Sequence, residues 1–221
     1  MNSVLANYQK VMHDVYSVKK ETPPIVIAVS KYHDQSKVKG LIAAGHTDFG
    51  ENKVQEAAAK YTNLGEARER IDLHLIGPLQ SNKVKDAVAI FDVIHTVDRE
   101  KIARKLAYEI ILQNKNTKCF VQVNTGGEPQ KAGLHLKEVV PQVTKYRDEY
   151  GLDVVGLMCI PPVNEDPEPH FSKLKGLADE LGLKELSMGM SSDFQAAIRH
   201  GATYIRVGTK IFGARDHKVD E

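Results

Sequence analysis

The first residue that could do chemistry is a lysine at the end of an apolar strand. Residues 25–29 read Ile-Val-Ile-Ala-Val, and Ser30 and Lys31 follow them directly. Such a run is typical of a strand in a parallel sheet that is covered on both faces. An ammonium at the mouth of that strand is partly desolvated, so it loses its proton more readily and presents a nucleophilic amine. The alternative interpretation is that Lys31 only ends a strand in solvent.

Two turns near the other end of the chain could hold an anion. Ser191, Ser192 and Asp193 form a hydroxyl-rich turn at a helix start, and Gly208 and Thr209 follow the next strand. Backbone N–H groups at helix starts bind anions, and serine and threonine hydroxyls assist them. Taken alone, the serine turn is better interpreted as an ordinary helix N-cap. Together with Lys31, the two turns predict a site for a phosphorylated carbonyl compound.

Two chemistries suit such a site. A lysine Schiff base with a sugar phosphate would make the protein an aldolase, and one with pyridoxal 5′-phosphate (PLP) would make it a cofactor protein. Arg206 lies within an apolar strand, where a salt bridge is one interpretation of it. If Arg206 faced the PLP ring nitrogen, its permanent charge would disfavour protonation there and weaken carbanion chemistry. An aldolase needs a further acid or base, for which only His74 and Asp48 are candidates.

Eight apolar strands must position these residues, and each is followed by a helix or the start of one. We expect the strands at 25–31, 47–50, 72–77, 91–97, 119–123, 154–160, 185–190 and 204–207, after an amphipathic helix over residues 4–18. We expect Asp98 to cap the helix after the fourth strand. The alternation predicts an α/β fold, a single (β/α)8 TIM barrel with an extra N-terminal helix. An open doubly wound sheet is the alternative, but no glycine-rich dinucleotide motif follows the first strand.

Composition narrows the classes of partner. The 221 residues carry 30 Lys and Arg against 29 Asp and Glu, which gives no reason to expect nucleic acid or an anionic membrane. Cys119 and Cys159 are expected as reduced core residues, and the 9 histidines show no metal-ligand spacing. Residues 1–20 are too polar for a signal peptide, and no apolar run reaches membrane-spanning length. We therefore expect a cytoplasmic monomer without a metal site.

Several long motifs, in order along nearly the whole chain, resemble those of the pyridoxal phosphate homeostasis protein family. They are Val29–Lys31, Phe49–Glu56, His74–Lys83, Leu186–Phe194 and Ile205–Gly213. The resemblance implies a fold similar to the barrel domain of alanine racemase, with residues 1–221 forming a single PLP-binding TIM-barrel domain. It also implies a role in vitamin B6 and amino-acid homeostasis, with no established catalytic activity.

The resemblance also assigns roles to individual residues. Lys31 would hold PLP as a Schiff base, and Arg206 would face the pyridine nitrogen. The remaining cofactor-binding residues would be Ser191, Gly208 and Thr209 at the phosphate, with Ser192 a weaker candidate, and Asn52, His74 and Met190 at the ring.

Four positions carry a second interpretation or a departure from the family. Asn52 is equally a candidate helix cap, and His74 is equally a satisfied core histidine. Lys131 matches a loop lysine of the family that affects PLP exchange, although a solvated loop charge is an equal interpretation. Leu73 stands where many members carry an aromatic residue, which would change the packing behind the ring.

The leading hypothesis is a PLP carrier or regulator with little or no turnover and no catalytic residues. PLP-dependent apo-enzymes are its candidate partners. Only six residues, five of them polar, follow Arg215, so we expect no second domain of the kind that completes an alanine racemase site. The alternative is a Schiff-base enzyme, either a weak PLP-dependent amino-acid racemase or an aldolase acting on a phosphorylated sugar.

Overall fold

Eight strands close into a parallel barrel, and helices surround it. The computed structural model describes residues 3–19 and 21–214. Each barrel strand pairs with its neighbours in the ring order β1-β2-β3-β4-β5-β7-β8-β9, and β9 pairs with β1 to close the ring. The short β6 lies outside the ring and pairs with the end of β5. The strands are β1 (Ile25–Val29), β2 (Asp48–Glu51), β3 (Asp72–Leu75), β4 (Val93–Val97), β5 (Lys118–Asn124), β6 (Leu134–His135), β7 (Val154–Cys159), β8 (Glu185–Met190) and β9 (Tyr204–Val207).

The helices connect the strands and cover the outside of the barrel. They are α1 (Ser3–Val18), α2 (Gln35–Ala43), α3 (Val54–Tyr61), α4 (Val84–Ile90), α5 (Glu100–Leu112), α6 (Leu136–Asp148), α7 (Glu168–Glu180), α8 (Phe194–Arg199) and α9 (Thr209–Phe212), with 3-10 segments at Thr62–Arg70 and Ser81–Lys83. The N-terminal helix α1 packs against α2, α8 and α9 and buries Val4, Val11 and Val15. Asn7 fastens it by donating a hydrogen bond from Nδ2 to the carbonyl of Ile211 at 3.2 Å.

Alternating side chains divide the core into an inner and an outer part. On β1, Ile27 and Val29 face the barrel interior, in the same cluster as Phe120. Val26 and Ala28, between them in sequence, belong to the larger cluster between strands and helices. The alternation therefore decides whether a residue at the end of a strand faces the mouth of the barrel or the helices.

The predicted fold is confirmed, because all eight predicted strands are present within two residues of their predicted bounds. Two details differ. The pattern does not predict β6, since two residues are too few for a strand signal. The predicted cap at Asp98 is wrong: α5 begins at Glu100 with Arg99 at the N-cap, and both carboxylate oxygens of Asp98 accept hydrogen bonds from Arg99, at 2.6 and 2.8 Å.

The described residues also test three simpler expectations. Cys119 and Cys159 are buried free thiols, as predicted. Across residues 3–19 and 21–214, no helix combines the length and the apolar character needed to cross a membrane. In the same ranges, no group of three or more His, Cys, Asp or Glu side chains is arranged to hold a metal ion.

Candidate functional site

Three neighbouring strands, β8, β9 and β1, end at one side of the barrel mouth. β9 pairs in parallel with both of the others, so the carboxyl ends of all three share this rim. Lys31 lies just beyond β1, Ser191 directly follows β8, and Gly208 directly follows β9. The structure therefore brings the predicted amine next to the two predicted anion-binding turns.

The alternation along β1 predicts that Ser30 and Lys31, which follow it, point in opposite directions. Ser30 is fully buried on the outer face of the barrel, where its Oγ donates to Glu51 Oε1 at 2.6 Å and lies 2.6 Å from Tyr61 Oη. Because Ser30 continues the outward series of β1, the alternation directs the half-buried Lys31 toward the barrel interior.

The turn after β8 is closed by Asp193. The N–H of Met190 donates to Asp193 Oδ1 at 2.6 Å, and the N–H of Asp193 donates to the carbonyl of Met190 at 3.2 Å. The half-buried Ser191 and the exposed Ser192 form the tip of this turn. The first N–H groups of α8, directly after it, have no intrahelical acceptor.

The turn after β9 is built on Gly208. A Cβ atom at Gly208 would lie 3.4 Å from the carbonyl oxygen of Val29, so this turn packs directly against the end of β1. The Gly208 carbonyl accepts from the N–H groups of Ile211 and Phe212, both at 2.9 Å, and this starts α9. The N–H of Thr209 precedes these bonds and is available to a ligand. The two turns thus present hydroxyls and backbone donors from adjacent strands, the donor set that a phosphate group requires.

Arg206 is a buried cation on β9, with 4% of its surface exposed. Its Nη1 donates to Ser187 Oγ at 2.7 Å, and its Nη2 donates to the carbonyl of Cys159 at 2.8 Å. Burial lowers the pKa of Arg206, and the charges of Cys159 and Asp193 offset this only in part. Within the described ranges no carboxylate forms an ion pair with Arg206, so the salt-bridge interpretation is wrong there. The remaining guanidinium donors suit an acceptor such as an unprotonated ring nitrogen.

His74 belongs to a buried polar chain that crosses the barrel interior. Its Nε2 lies 3.2 Å from Asp48 Oδ1, and its Nδ1 lies 3.0 Å from His95 Nε2. His95 Nδ1 in turn lies 2.8 Å from Ser187 Oγ, the acceptor of Arg206. Burial lowers the pKa of His95 well below its usual value, and the charges of His74 and Arg206 lower it further. His74 is therefore a satisfied core histidine, and its contact with a cofactor ring stays a prediction.

Asn52 and Met190 lie at the ends of β2 and β8. The N-cap of α3 is Lys53, so the interpretation of Asn52 as a helix cap is wrong. Asn52 also touches the neighbouring strand end, because a Cβ atom on Gly77 would lie only 2.3 Å from its carbonyl oxygen. Met190 is the register partner of Arg206 and is half-buried. Contact of either residue with a cofactor ring stays a prediction.

Lys131 is held at the mouth of the barrel rather than solvated. Its Nζ lies 2.6 Å from Glu128 Oε2 and donates to the carbonyl of Pro161 at 3.3 Å. Because only 28% of the Lys131 side chain is exposed, its interpretation as a solvated loop charge is wrong. Lys131 also lines a cavity of about 420 Å³ at the carboxyl ends of β3, β4, β5 and β7, whose other walls include Ile76, Thr96, Gln122 and Ile160.

The sequence does not single out Ser187 or His95, which connect Arg206 to the barrel interior. A hydroxyl at an inward position of β8 was the available signal for Ser187. His95 lies on the fully buried β4, and no spacing in the sequence marks it. The buried charged residues Glu51 and Lys60 behind Ser30 are also missed, because only the folded chain brings them together.

Comparisons with known proteins identify the family of this chain. The sequence profile of the family described as "Alanine racemase, N-terminal domain" matches residues 1–216. The pyridoxal phosphate homeostasis protein of Vibrio alginolyticus is 38% identical and covers 98% of this chain and 100% of its own length. The protein of the same name from Pseudomonas aeruginosa is 40% identical, with 87% of this chain and 85% of its own length covered. The chain therefore belongs to the alanine racemase N-terminal domain family and, within it, to the pyridoxal phosphate homeostasis proteins.

Solved structures show the same relation. PipY of Synechococcus elongatus without PLP has 36% identity and a TM-score of 0.83, covering 91% of this chain and 99% of its own. PipY with PLP bound has 36% identity and a TM-score of 0.82, covering 92% and 100%. An alanine racemase of Clostridium difficile, 14% identical with a TM-score of 0.74, covers 99% of this chain but only 58% of its own, and it shows a shared fold alone.

Proposed function

We propose that this protein binds PLP in vitamin B6 homeostasis, holding it as a Schiff base on Lys31 with little or no catalytic turnover. The observation that carries the proposal is one rim formed by β8, β9 and β1. It joins the amine of Lys31, the two anion-binding turns and the buried Arg206, which has no carboxylate partner within the described ranges. The relatives named above are pyridoxal phosphate homeostasis proteins, and PipY binds PLP.

Each residue of the rim has a definite task in this proposal. PLP supplies an aldehyde that condenses with an amine and releases one water. Lys31 provides that amine from the inner face of β1. The hydroxyls and N–H groups of Ser191, Gly208 and Thr209 hold the phosphate, assisted by Ser192 at the tip of its turn. Asn52, His74 and Met190 complete the ring pocket.

Arg206 explains why turnover is low. Burial lowers its pKa, but guanidinium groups start so high that the charge persists at neutral pH. A cation donating to the ring nitrogen keeps that nitrogen unprotonated, so the ring is a weak electron sink. Binding without turnover suits a cytoplasmic monomer that stores PLP or passes it to apo-enzymes, and we propose that residues 1–221 make one such domain.

A visible absorption spectrum after adding PLP tests the proposal. The wild-type protein should show a Schiff-base band, and borohydride reduction with peptide mapping should place the label on Lys31 alone. Lys31→Ala should lose the band, whereas Lys39→Ala, which changes an exposed lysine of α2, should keep it. Label on any other lysine would refute the attachment.

A racemase with low activity remains the second candidate, because the cavity of about 420 Å³ at the carboxyl ends of β3, β4, β5 and β7 leaves room for an amino acid at the same mouth of the barrel. The aldolase alternative loses support: Asp48 begins β2 at the opposite end of the barrel from Lys31, and His74 is committed to Asp48 and His95. Exchange of the α-proton of amino acids in D2O measures racemase chemistry. Exchange at an enzyme-like rate would overturn the assignment of low turnover.

A further inference from the structure

We propose that Glu56 and a buried cluster around Ser30 are positioning residues, which fix the main chain on both sides of Lys31 and so aim its amine at the PLP aldehyde. The inference rests on the proposed function, since it concerns the same lysine. The Ser30 cluster consists of Ser30, Glu51, Lys60 and Tyr61, and all four are buried.

The residue before Lys31 is bonded through each of its polar groups. The N–H of Ser30 donates to the carbonyl of Gly50 at 3.0 Å, and its carbonyl accepts from Lys60 Nζ at 2.6 Å. Its hydroxyl donates to Glu51 Oε1 at 2.6 Å and lies 2.6 Å from Tyr61 Oη. Buried hydrogen bonds are costly to break, so Ser30 cannot shift without losing several of them together.

The residue after Lys31 is held by Glu56. The N–H of Tyr32 donates to Glu56 Oε1 at 2.6 Å. Tyr32 adopts a φ of +67°, a left-handed conformation that is strained for a residue with a Cβ atom. Such a conformation persists where the surroundings enforce it, and it is concentrated at functional sites. Glu56 supplies one such constraint through the main chain.

The ammonium of Lys60 links the contacts before Lys31 with those after it. Lys60 Nζ lies 2.7 Å from Glu51 Oε1 and 3.8 Å from Glu56 Oε1, in addition to its bond with Ser30. Glu56 and Lys60 lie one helical turn apart on α3, so a single helix face holds both flanks. The cluster lies on the outer face of the barrel wall, between the ends of β1 and β2 and helix α3, so it acts through the direction of the main chain rather than by touching PLP.

Schiff-base formation and non-covalent binding must be measured separately to test this. The rate constant for the appearance of the visible band after mixing apo-protein with PLP reports the reaction of Lys31. Pyridoxine 5′-phosphate, which carries an alcohol in place of the aldehyde, reports non-covalent binding alone. Glu56→Ala should slow band formation about 10- to 100-fold, because a displacement of about 1 Å has effects of this size on an intramolecular reaction. Its affinity for pyridoxine 5′-phosphate should be unchanged.

Three further variants make the test specific. Glu56→Gln should restore the wild-type rate, because the amide oxygen still accepts from the Tyr32 N–H. Ser30→Ala should reproduce the slow phenotype from the other flank. Glu100→Ala is the matched control, since Glu100 of α5 makes similar contacts with Lys145 of α6 and with Tyr150, which follows α6, at 2.9 and 2.7 Å.

Each outcome supports or overturns the proposal. A normal rate in Glu56→Ala, or a defect of equal size in Glu56→Gln, would overturn it. A parallel loss of rate and of pyridoxine 5′-phosphate affinity would show a structural role only. A wild-type protein without a visible band, or with label away from Lys31, would instead refute the proposed function, and this inference with it.

Discussion

Removal of the buried ammonium of Lys60 should cost a large part of the free energy of unfolding. In Lys60→Met, the fully buried carboxylate of Glu51 loses its cation at 2.7 Å, and the carbonyl of Ser30 loses its donor at 2.6 Å. Breaking a buried ion pair from one side costs about 3–5 kcal/mol. A domain of ordinary stability has about 5–15 kcal/mol in total, so the variant should be severely destabilised at neutral pH.

The loss should depend on pH in a definite direction. Burial raises the pKa of Glu51, although the charge and hydrogen bond of Lys60 and the hydrogen bond of Ser30 act against it. A carboxyl with a raised folded-state pKa contributes stability that is fully present below its unfolded pKa of about 4.3 and is lost as pH rises through the folded value. Without Lys60 the folded pKa rises further. The free energy of unfolding that Lys60→Met loses relative to wild type should therefore become smaller as pH falls from neutral toward about 5.

Urea unfolding of the apo-protein, followed by circular dichroism at both pH values, measures this. Glu51→Gln combined with Lys60→Met removes both charges and keeps an oxygen that accepts from Ser30, so it should recover most of the lost free energy. Lys145→Met is the control, because its ion pair with Glu100 is partly exposed and its loss should change the free energy of unfolding far less. The reasoning fails if Lys60→Met loses less than about 1 kcal/mol, or loses the same amount at both pH values.

Two other predictions concern packing and thiol reactivity. Gly77→Ala would place a Cβ atom 2.3 Å from the carbonyl oxygen of Asn52 and should cost about 1–3 kcal/mol in urea unfolding. A Cβ atom at Gly176, on α7, would have no atom within 4 Å, so Gly176→Ala should raise the free energy of unfolding by about 0.5–1 kcal/mol. Two substitutions that changed this free energy in the same direction would contradict the prediction. Burial raises the pKa of Cys159 to about 12 and that of Cys119 further, so iodoacetamide at mildly alkaline pH should label both only in urea. Mass spectrometry of the native protein checks this, and a labelled native thiol would count against the buried assignment.

Much of the fold could be predicted because each barrel strand is a short apolar run followed by a helical period. Parallel strands buried on both faces need such runs, and their alternation with helices leaves few possible topologies. The sequence pattern does not predict strand β6, because β6 consists of Leu134 and His135 alone. The cap at Asp98 was wrong because its carboxylate is taken by the guanidinium of Arg99 next to it.

The closeness of the candidate site residues along the chain fold could also be predicted, but their supporting contacts could not. Lys31 and the turns at Ser191 and Gly208 follow from the rule that barrel sites lie at the carboxyl ends of strands. The bond between Arg206 and Ser187 depends on the register of β8 and β9, which the sequence pattern does not specify. The cluster behind Ser30 joins residues from two strands and a helix, and only tertiary packing brings them together. The roles of these residues toward PLP stay predictions until the spectra are measured.

Ring closure has a consequence for biosynthesis. β1 has β2 as its only early neighbour, and its other edge pairs with Tyr204–Val207, which leave the ribosome about 180 residues later. Until those residues are synthesised, the edge of β1 that pairs with β9 is uncovered. Contacts between residues far apart in the sequence also form slowly. In the proposed site, the amine of Lys31 is translated long before the turns at Ser191 and Gly208. If that site holds PLP, the cofactor could bind only after β9 has joined the ring, and it would stabilise only the closed barrel.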